Sequence, residues 1–426
     1  MNRNIARWIA ASIAALVLGT VQVQAQEALR PEVGKPLQAA QELIKAGRYK
    51  EALARVRDAD AVGGKTASES LMVERMRIAA ASGAGDVDTA ARAFEVINAS
   101  SKVSSADKIR MIDSIAGSYY RAREYAKAMQ WYKRYFKEGG ASNVNRSLMI
   151  QTQYLSGDLA GASKELIAEI VATEKNGGVP PEDRINLLLN AAVKLKDVNA
   201  ETFALERLVS YYPKKEYWVT LLSRLQSKPN FSDRLVLDTY RLSLATGSMT
   251  AANDYSELAQ LALQAGSGAE AKQVVDKGFA AGVLGTGPEA DRHKRLRDLI
   301  NKRIAESTKT QADDEKAALA AKDGNDLVAI GMNQVYQGRK AQGLALMQQG
   351  IAKGGLKRPE DAKLHLAIAQ LVAGENAKAL ATLRTVSGND GTGDLARLWT
   401  LYARRAKASS PSGLACSLAP LGRGRG

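Results

Sequence analysis

Apolar residues fall three and four apart through most of the chain, the spacing of one face of a helix. The pattern is sharpest in residues 111–138, MIDSIAGSYYRAREYAKAMQWYKRYFKE. Ile112, Ile115, Ala116 and Tyr119 stand at offsets 0, 3, 4 and 7, and Tyr125, Ala128, Met129 and Tyr132 repeat that spacing. Two amphipathic helices joined by a tight turn are predicted. Ala116 and Ala128 should meet where the helices cross, because only small side chains let the backbones approach there. A helix pair of this size cannot bury both its faces alone and needs neighbours on either side.

The same register recurs as a Gly followed five residues later by Ala or Gly: Gly47/Ala52, Gly85/Ala90, Gly157/Ala162, Gly266/Ala271, Gly338/Gly343 and Gly374/Ala379. Twelve residues before each second member lie Ala40, Ile78, Ile150, Ala259, Gly331 and Ala367, four of them small, which random placement seldom gives. Ala52, Ala90, Ala128 and Ala162 are 38, 38 and 34 residues apart. On these positions the chain resembles the tetratricopeptide repeat (TPR) family, although Tyr135 stands where that family usually has a further small residue. The resemblance covers most of residues 36–386. It implies an all-α protein, an α-solenoid (a superhelix of antiparallel helix pairs), with no enzymatic activity and a groove for a peptide or protein partner.

The order of the chain fits that expectation. Pro31, Pro36, Pro180, Pro181, Pro213, Pro229, Pro288 and Pro359 fall between periodic segments, and none interrupts 37–179, where an interior Pro would cost a hydrogen bond and clash with the preceding turn. No run alternates as a strand does. Residues 177–181 (GGVPP) break the pattern before a helix from Glu182, and Trp218 and Leu221 open another after Pro213. The repeat blurs over 227–250 and returns at Tyr255. The expected organisation is a leader (1–25), a repeat solenoid (26–282), a charged helical connector (283–325) with a candidate hinge at Gly285, further repeats with a capping helix (326–407), and a disordered tail (408–426). Leu395, Leu398, Trp399 and Tyr402 form the stripe by which the last helix would cover the final repeat.

The leader changes the picture of where the chain works. Arg3 and Arg7, an apolar run from Trp8 to Leu18, and Val23-Gln24-Ala25 before Gln26 have the plan of a cleavable secretory signal. The run is short of the ~20 residues that span a bilayer, so a soluble periplasmic protein cleaved after Ala25 is expected. A single cysteine, Cys416, excludes an internal disulfide and any multi-cysteine metal site. The formal net charge is +15, and +13 without Arg3 and Arg7. A basic balance suits an acidic partner, an anionic membrane or nucleic acid, and export makes nucleic acid the least fitting of these.

Several stretches imitate chemistry. Gly63-Gly64-Lys65-Thr66 resembles the end of a phosphate loop, but Ala59 stands where that loop needs Gly and a helix leads in where it needs a strand. GTGPEA (285–290) and GTGDLA (391–396) match a loose dinucleotide fingerprint outside any βαβ unit, and read as turns before helices, with Asp394 as an N-cap. His293 and His365 lie in separate helices without metal spacing. Asp313, Asp314 and Glu315 form a Lys-flanked solvated face. No catalytic residue, metal or cofactor is called for.

Binding residues follow from the register, as first-helix positions pointing away from the small packing residues. They are Arg110, Asp113, Tyr120 and Arg121 in the sharpest repeat, Ser147, Gln151 and Tyr154 in the next, and Asn253, Ser256, Gln260 and Gln264 further on. Tyr for stacking and Arg for carboxylates suit a peptide better than a lipid. Arg292, Lys294 and Arg295 form the densest basic cluster, a candidate contact for an anionic partner or envelope lipid at the membrane periphery. The repeat AQLALQAG with KGFAAGVL after it is similar to periplasmic repeat proteins that accompany TonB-type energy-transduction systems. Outer-membrane assembly and polysaccharide export remain alternatives, and an enzyme is the least supported.

Overall fold

The computed structural model describes residues 29–408, and the expected leader and the tail with Cys416 lie outside that range. Among the described residues there are twenty α-helices, one 3-10 turn and no strand. They divide into two compact units, one comprising residues up to 178 with 190–197, the other 179–189 with everything from 198 onward. The division falls well before Gly285.

Unit 1 is a row of antiparallel helix hairpins: α1 (Pro31–Lys45) with α2 (Tyr49–Asp60), α3 (Ala67–Ala84) with α4 (Val87–Asn98), α5 (Ser105–Arg121) with α6 (Tyr125–Lys137), and α7 (Asn143–Leu155) with α8 (Leu159–Lys175). Each hairpin closes where small residues were expected. Ala40 and Ala52, Ile78 and Ala90, Ala116 and Ala128, and Ile150 and Ala162 are all at most 1% exposed. Gly47, Gly85 and Gly157 hold the turns at positive φ. The α5–α6 turn has Arg123 in that place, at φ 61°, a conformation that costs a residue with a Cβ. Between hairpins, Phe94 of α4 meets Trp131 of α6 edge-on at 5.4 Å, with the Arg134 guanidinium over both rings.

The first helix begins earlier than the prolines suggest. Val33 is fully buried with Leu37 and Ala40, so the apolar stripe starts ahead of Pro36 and draws the helix back to Pro31 at its first position. Pro36 is therefore inside α1. The GGKT stretch is a loop between hairpins: the Gly63 and Gly64 carbonyls accept from Arg30, the Lys65 ammonium is held by the Val62 carbonyl at 2.9 Å, and Thr66 caps α3 in a capping box with Glu69.

Helix α9 (Glu182–Leu195) carries the chain from one unit to the other. Lys196 follows it at φ 56°. Unit 2 continues with α10 (Val198–Tyr211), α11 (Lys215–Gln226), α12 (Val236–Thr246), α13 (Ala252–Gln264), α14 (Gly268–Ala280), α15 (Ala290–Ala320), α16 (Asn325–Tyr336), α17 (Lys340–Lys353), α18 (Pro359–Ala373), α19 (Asn376–Leu383) and α20 (Thr392–Ala408). The small-residue register holds at Ala259/Ala271 and Ala367/Ala379, all fully buried, and at Gly331/Gly343. At the last pair the backbones approach so closely that a Cβ on Gly331 would stand 2.5 Å from the Gly343 carbonyl oxygen.

Two features of unit 2 depart from a plain stack. The charged connector is one 31-residue helix, α15, packed on α14, α16 and α13. Its approach is pinned, because the Gly285 amide donates to His293 Nδ1 at 3.2 Å and the Val283 and Leu284 amides both donate to the Gly278 carbonyl. Secondly, α20 does more than cover α19. It also packs on α10, α12 and α18, and the turn before it meets the start of α12. Arg234 binds Asp361 and Asp390 at 2.7 and 2.6 Å, Lys228 binds Asp394 at 2.7 Å, and the Ser232 amide donates to the Asp390 carbonyl at 3.0 Å. Unit 2 thus closes on itself. Asp394 is not an N-cap: α20 starts at Thr392, and the Asp394 carboxylate in its first turn is taken by Lys228 and Arg397.

Candidate interaction face on the first helices

Helix α5 places Asp113, Gly117, Tyr120 and Arg121 on one side because they are three, four and eight residues apart, while Ile112, Ile115, Ala116 and Tyr119 turn into the core. Gly117 matters here. Having no side chain, it lets Arg121 lie back along its own helix, with Nη1 3.6 Å from where a Cβ would stand, and Nη2 donates to Ser118 Oγ at 2.7 Å. Burial holds the Arg121 pKa below the ordinary arginine value, and no carboxylate pairs with it among the described residues. Tyr120 stacks edge-on against Tyr125 at 5.9 Å.

About 12 Å back along the helix, two turns away, stands the opposite charge. Asp113 is half-buried with no cation beside it, and burial pushes its pKa up. Its neighbour Asn145, on α7, favours the ionised carboxyl, yet the Asn145 amide Nδ2 completes no hydrogen bond of good geometry. The Tyr132 hydroxyl, close to both Asp113 and Arg121, is fully buried and also has no partner. A half-buried acid and an exposed guanidinium therefore share one face, and beneath them lie a phenol and an amide whose polar atoms are buried without partners. Such groups are costly to bury alone.

Further along, Ser147 is half-buried and Gln151 exposed on α7, and Lys194 sits 4.7 Å over the ring of Tyr154. Arg110 is at the margin, spent on Asp107 three residues before it. The structure thus gathers Asp113, Tyr120, Arg121 and the α7 residues onto adjoining helices of unit 1.

The α13 set is treated differently. Asn253 and Gln264 are exposed, but Ser256 is 6% exposed and covered by the first turns of α15. That helix brings Arg292 and Arg295 to Ser256 and Gln260 around one cavity of 210 Å³, together with His293. Lys294 does not join them and pairs with Asp291. Two residue groups that the sequence separates are therefore one site in space, while α13 offers no open groove of the kind its register implies.

A constellation the register does not reveal lies on α12. Arg241 is buried between Asp238, at 2.8 Å, and Glu270, at 2.6 Å, and His365 Nε2 approaches the other Asp238 oxygen at 3.1 Å. Burial alone would raise the Asp238 pKa, but His365 and Arg241 outweigh it and hold the carboxyl at about 2. Arg241 and His365 form part of the wall of a 410 Å³ cavity with Ser267, Asp361 and Arg358. These charges satisfy one another, so the cluster reads as structure rather than as a docking surface. Among the described residues no group of three or more His, Cys, Asp or Glu is arranged to hold a metal, and no helix is long and apolar enough to cross a membrane.

No protein-family model and no curated protein matches the chain. Among solved structures it is similar to the TPR2AB-domain:pHSP90 complex of yeast Sti1 (14% identity, 73% of this chain and 95% of that one, TM-score 0.23). It is also similar to the maize pentatricopeptide repeat protein PPR10 (14%, 98% and 68%, TM-score 0.31) and to yeast Tom70 (11%, 90% and 98%, TM-score 0.20). With TM-scores below 0.5, these likenesses carry no conclusion about this chain.

Proposed function

We propose that this chain is an exported, non-enzymatic repeat scaffold that works in the periplasm and holds a peptide or protein segment along the first-helix face of unit 1. One observation carries the reading. Half-buried Asp113 and exposed Arg121, of opposite charge, share one face of α5 with no charged partner among the described residues. A charge taken from water without a partner lowers stability, so its presence is explained by something that arrives. An extended segment with a basic group and an acidic group about four residues apart spans the ~12 Å between them. Tyr120 and Tyr154 add contact area, and Tyr and Arg are the side chains on which such interfaces most depend.

The location belongs to the same proposal and rests on Arg3, Arg7, the apolar run and the Ala25 site. Within the envelope, a role in a TonB-type system, in outer-membrane assembly or in polysaccharide export is compatible with a binding face of this kind. The test is to select binders from a library of extended random peptides and measure them against Arg121→Ala, Tyr120→Ala and Tyr154→Ala. Each should lose roughly thirtyfold in affinity, about 2 kcal/mol, at unchanged helix content. Binders that ignore all three substitutions would remove the assignment. N-terminal sequencing should find Gln26 first in a periplasmic fraction.

A further inference from the structure

The 210 Å³ cavity between α13 and α15 has the chemistry of an anion site. Its lining is Ser256, Gln260, Arg292, His293, Arg295, Leu296 and Leu299, and no acid is among them. Arg292 is exposed and shares only a 3.2 Å contact with Glu289. Arg295 has no acid partner among the described residues, unlike Lys294 and Arg303 on the same helix, which pair with Asp291 and Glu306. Ser256 is 6% exposed, yet its Oγ makes no hydrogen bond. A buried hydroxyl left open costs free energy unless something fills it.

The histidine adds direction. His293 is 6% exposed, and its Nδ1 accepts the Gly285 amide proton, so its ring proton is on Nε2. Nε2–H is then its remaining donor, and His293 lines the cavity. The Gly282–Pro288 turn therefore fixes one donor, the opening of α15 supplies two guanidinium forks, and α13 supplies a hydroxyl. The first turns of a helix favour negative charge in addition. Donors from three segments enclose a tetrahedral oxyanion better than a flat carboxylate. Leu296 and the exposed Leu299 give an apolar lip where the rest of the molecule would lie.

We infer that this cavity binds a phosphate group, as the monoester of a small organic molecule or lipid headgroup. The inference is independent of the peptide reading, since it concerns unit 2 and different residues.

The experiment uses the full chain. Calorimetric titration with inorganic phosphate and with glycerol 3-phosphate is run alongside co-sedimentation with phosphatidylcholine vesicles, with and without phosphatidate. Arg295→Ala should weaken the bound ligand at least tenfold, the loss of a charge-assisted hydrogen bond, and Ser256→Ala should weaken it severalfold. Lys294→Ala and Arg303→Ala should leave affinity unchanged. Preference for glycerol 3-phosphate identifies a soluble ester, and binding confined to phosphatidate vesicles identifies a lipid headgroup. The inference fails if no arm binds at roughly 10 mM phosphate, well above a millimolar Kd. It also fails if Arg295→Ala with Ser256→Ala binds as the parent does, or if Lys294→Ala weakens binding equally. Helix content and the melting curve of every variant separate lost binding from lost folding.

Discussion

The close approach of α16 and α17 at Gly331 and Gly343 makes a quantitative prediction. A Cβ on Gly331 would lie 2.5 Å from the Gly343 carbonyl oxygen, and a Cβ on Gly343 would meet the Gly331 carbonyl oxygen more closely still. Ordinary contact begins near 3.4 Å. Gly331→Ala therefore needs α16 and α17 to part by about 0.9 Å, and because both obstacles are backbone, no rotamer change relieves them. A gap of ~0.5–1 Å forfeits a quarter to a half of each dispersion well, so a large side chain with ~50 contacts at ~0.15 kcal/mol loses about 2 kcal/mol. Met347, Leu327 and Leu344 are buried residues of this pair. The expected loss is ~3 kcal/mol, at the upper end of overpacking. Gly343→Ala should cost the same, and the double variant clearly less than the sum, since one separation accommodates both methyls. Urea unfolding followed by circular dichroism and intrinsic fluorescence measures this. Gly338→Ala is the control, with open space around it and only its φ of 88° to lose, costing ~1 kcal/mol. A loss below about 0.5 kcal/mol for Gly331→Ala, or strict additivity of the pair, would show that backbone contact does not limit this hairpin.

Arg123→Gly should stabilise unit 1 by ~0.5–1 kcal/mol, because it removes a left-handed Arg at a turn where other hairpins have Gly, less the chain entropy glycine adds; thermal melting reads it. Asp238 has a folded pKa lowered to about 2, so its contribution is present above the unfolded carboxyl value near 4 and is lost as pH falls from there to about 2. In His365→Ala the same loss should begin at higher pH, and an unchanged acid-unfolding curve would deny His365 that role. Asp113 has the opposite sign: its folded pKa is raised, so ionisation destabilises as pH rises through it. Asp113→Asn should then raise the melting temperature at pH 7, leave it unchanged below the carboxyl range, and weaken peptide binding.

Local periodicity made the hairpins and part of the interaction face readable. Ala116, Ala128 and their counterparts follow from spacing alone, and the same register turned Asp113, Tyr120 and Arg121 outward. It could not tell which outward residues would remain uncovered. Ser256 and Asp113 hold equivalent places on their helices, but α15, more than 30 residues later in the chain, folds over the first. The Asp238–His365 contact joins residues 127 apart, and no periodic pattern encodes such a meeting. The turn after α9 escaped the register for a local reason. Lys196 takes the left-handed turn without being Gly, and Glu201, buried at 6% and bound to Arg224, stands where Ala would be.

The return of α20 onto the start of unit 2 bears on how that half of the molecule folds and diversifies. A linear repeat array can begin folding anywhere, fray from its ends and gain or lose a module with little penalty, because each module answers only to its neighbours. A clasp between Lys228 and Asp394, 166 residues apart, removes that freedom. Bringing its two sides together requires closing a long loop, so the last step of folding should be slow and governed by topology. Neither terminal hairpin can then peel away without breaking the clasp. A duplicated hairpin inserted between α13 and α19 would displace Asp361, Asp390 and Asp394 from Arg234 and Lys228. Module number in this half is thereby counted by geometry, whereas the open row of unit 1 has no such clasp among the contacts described.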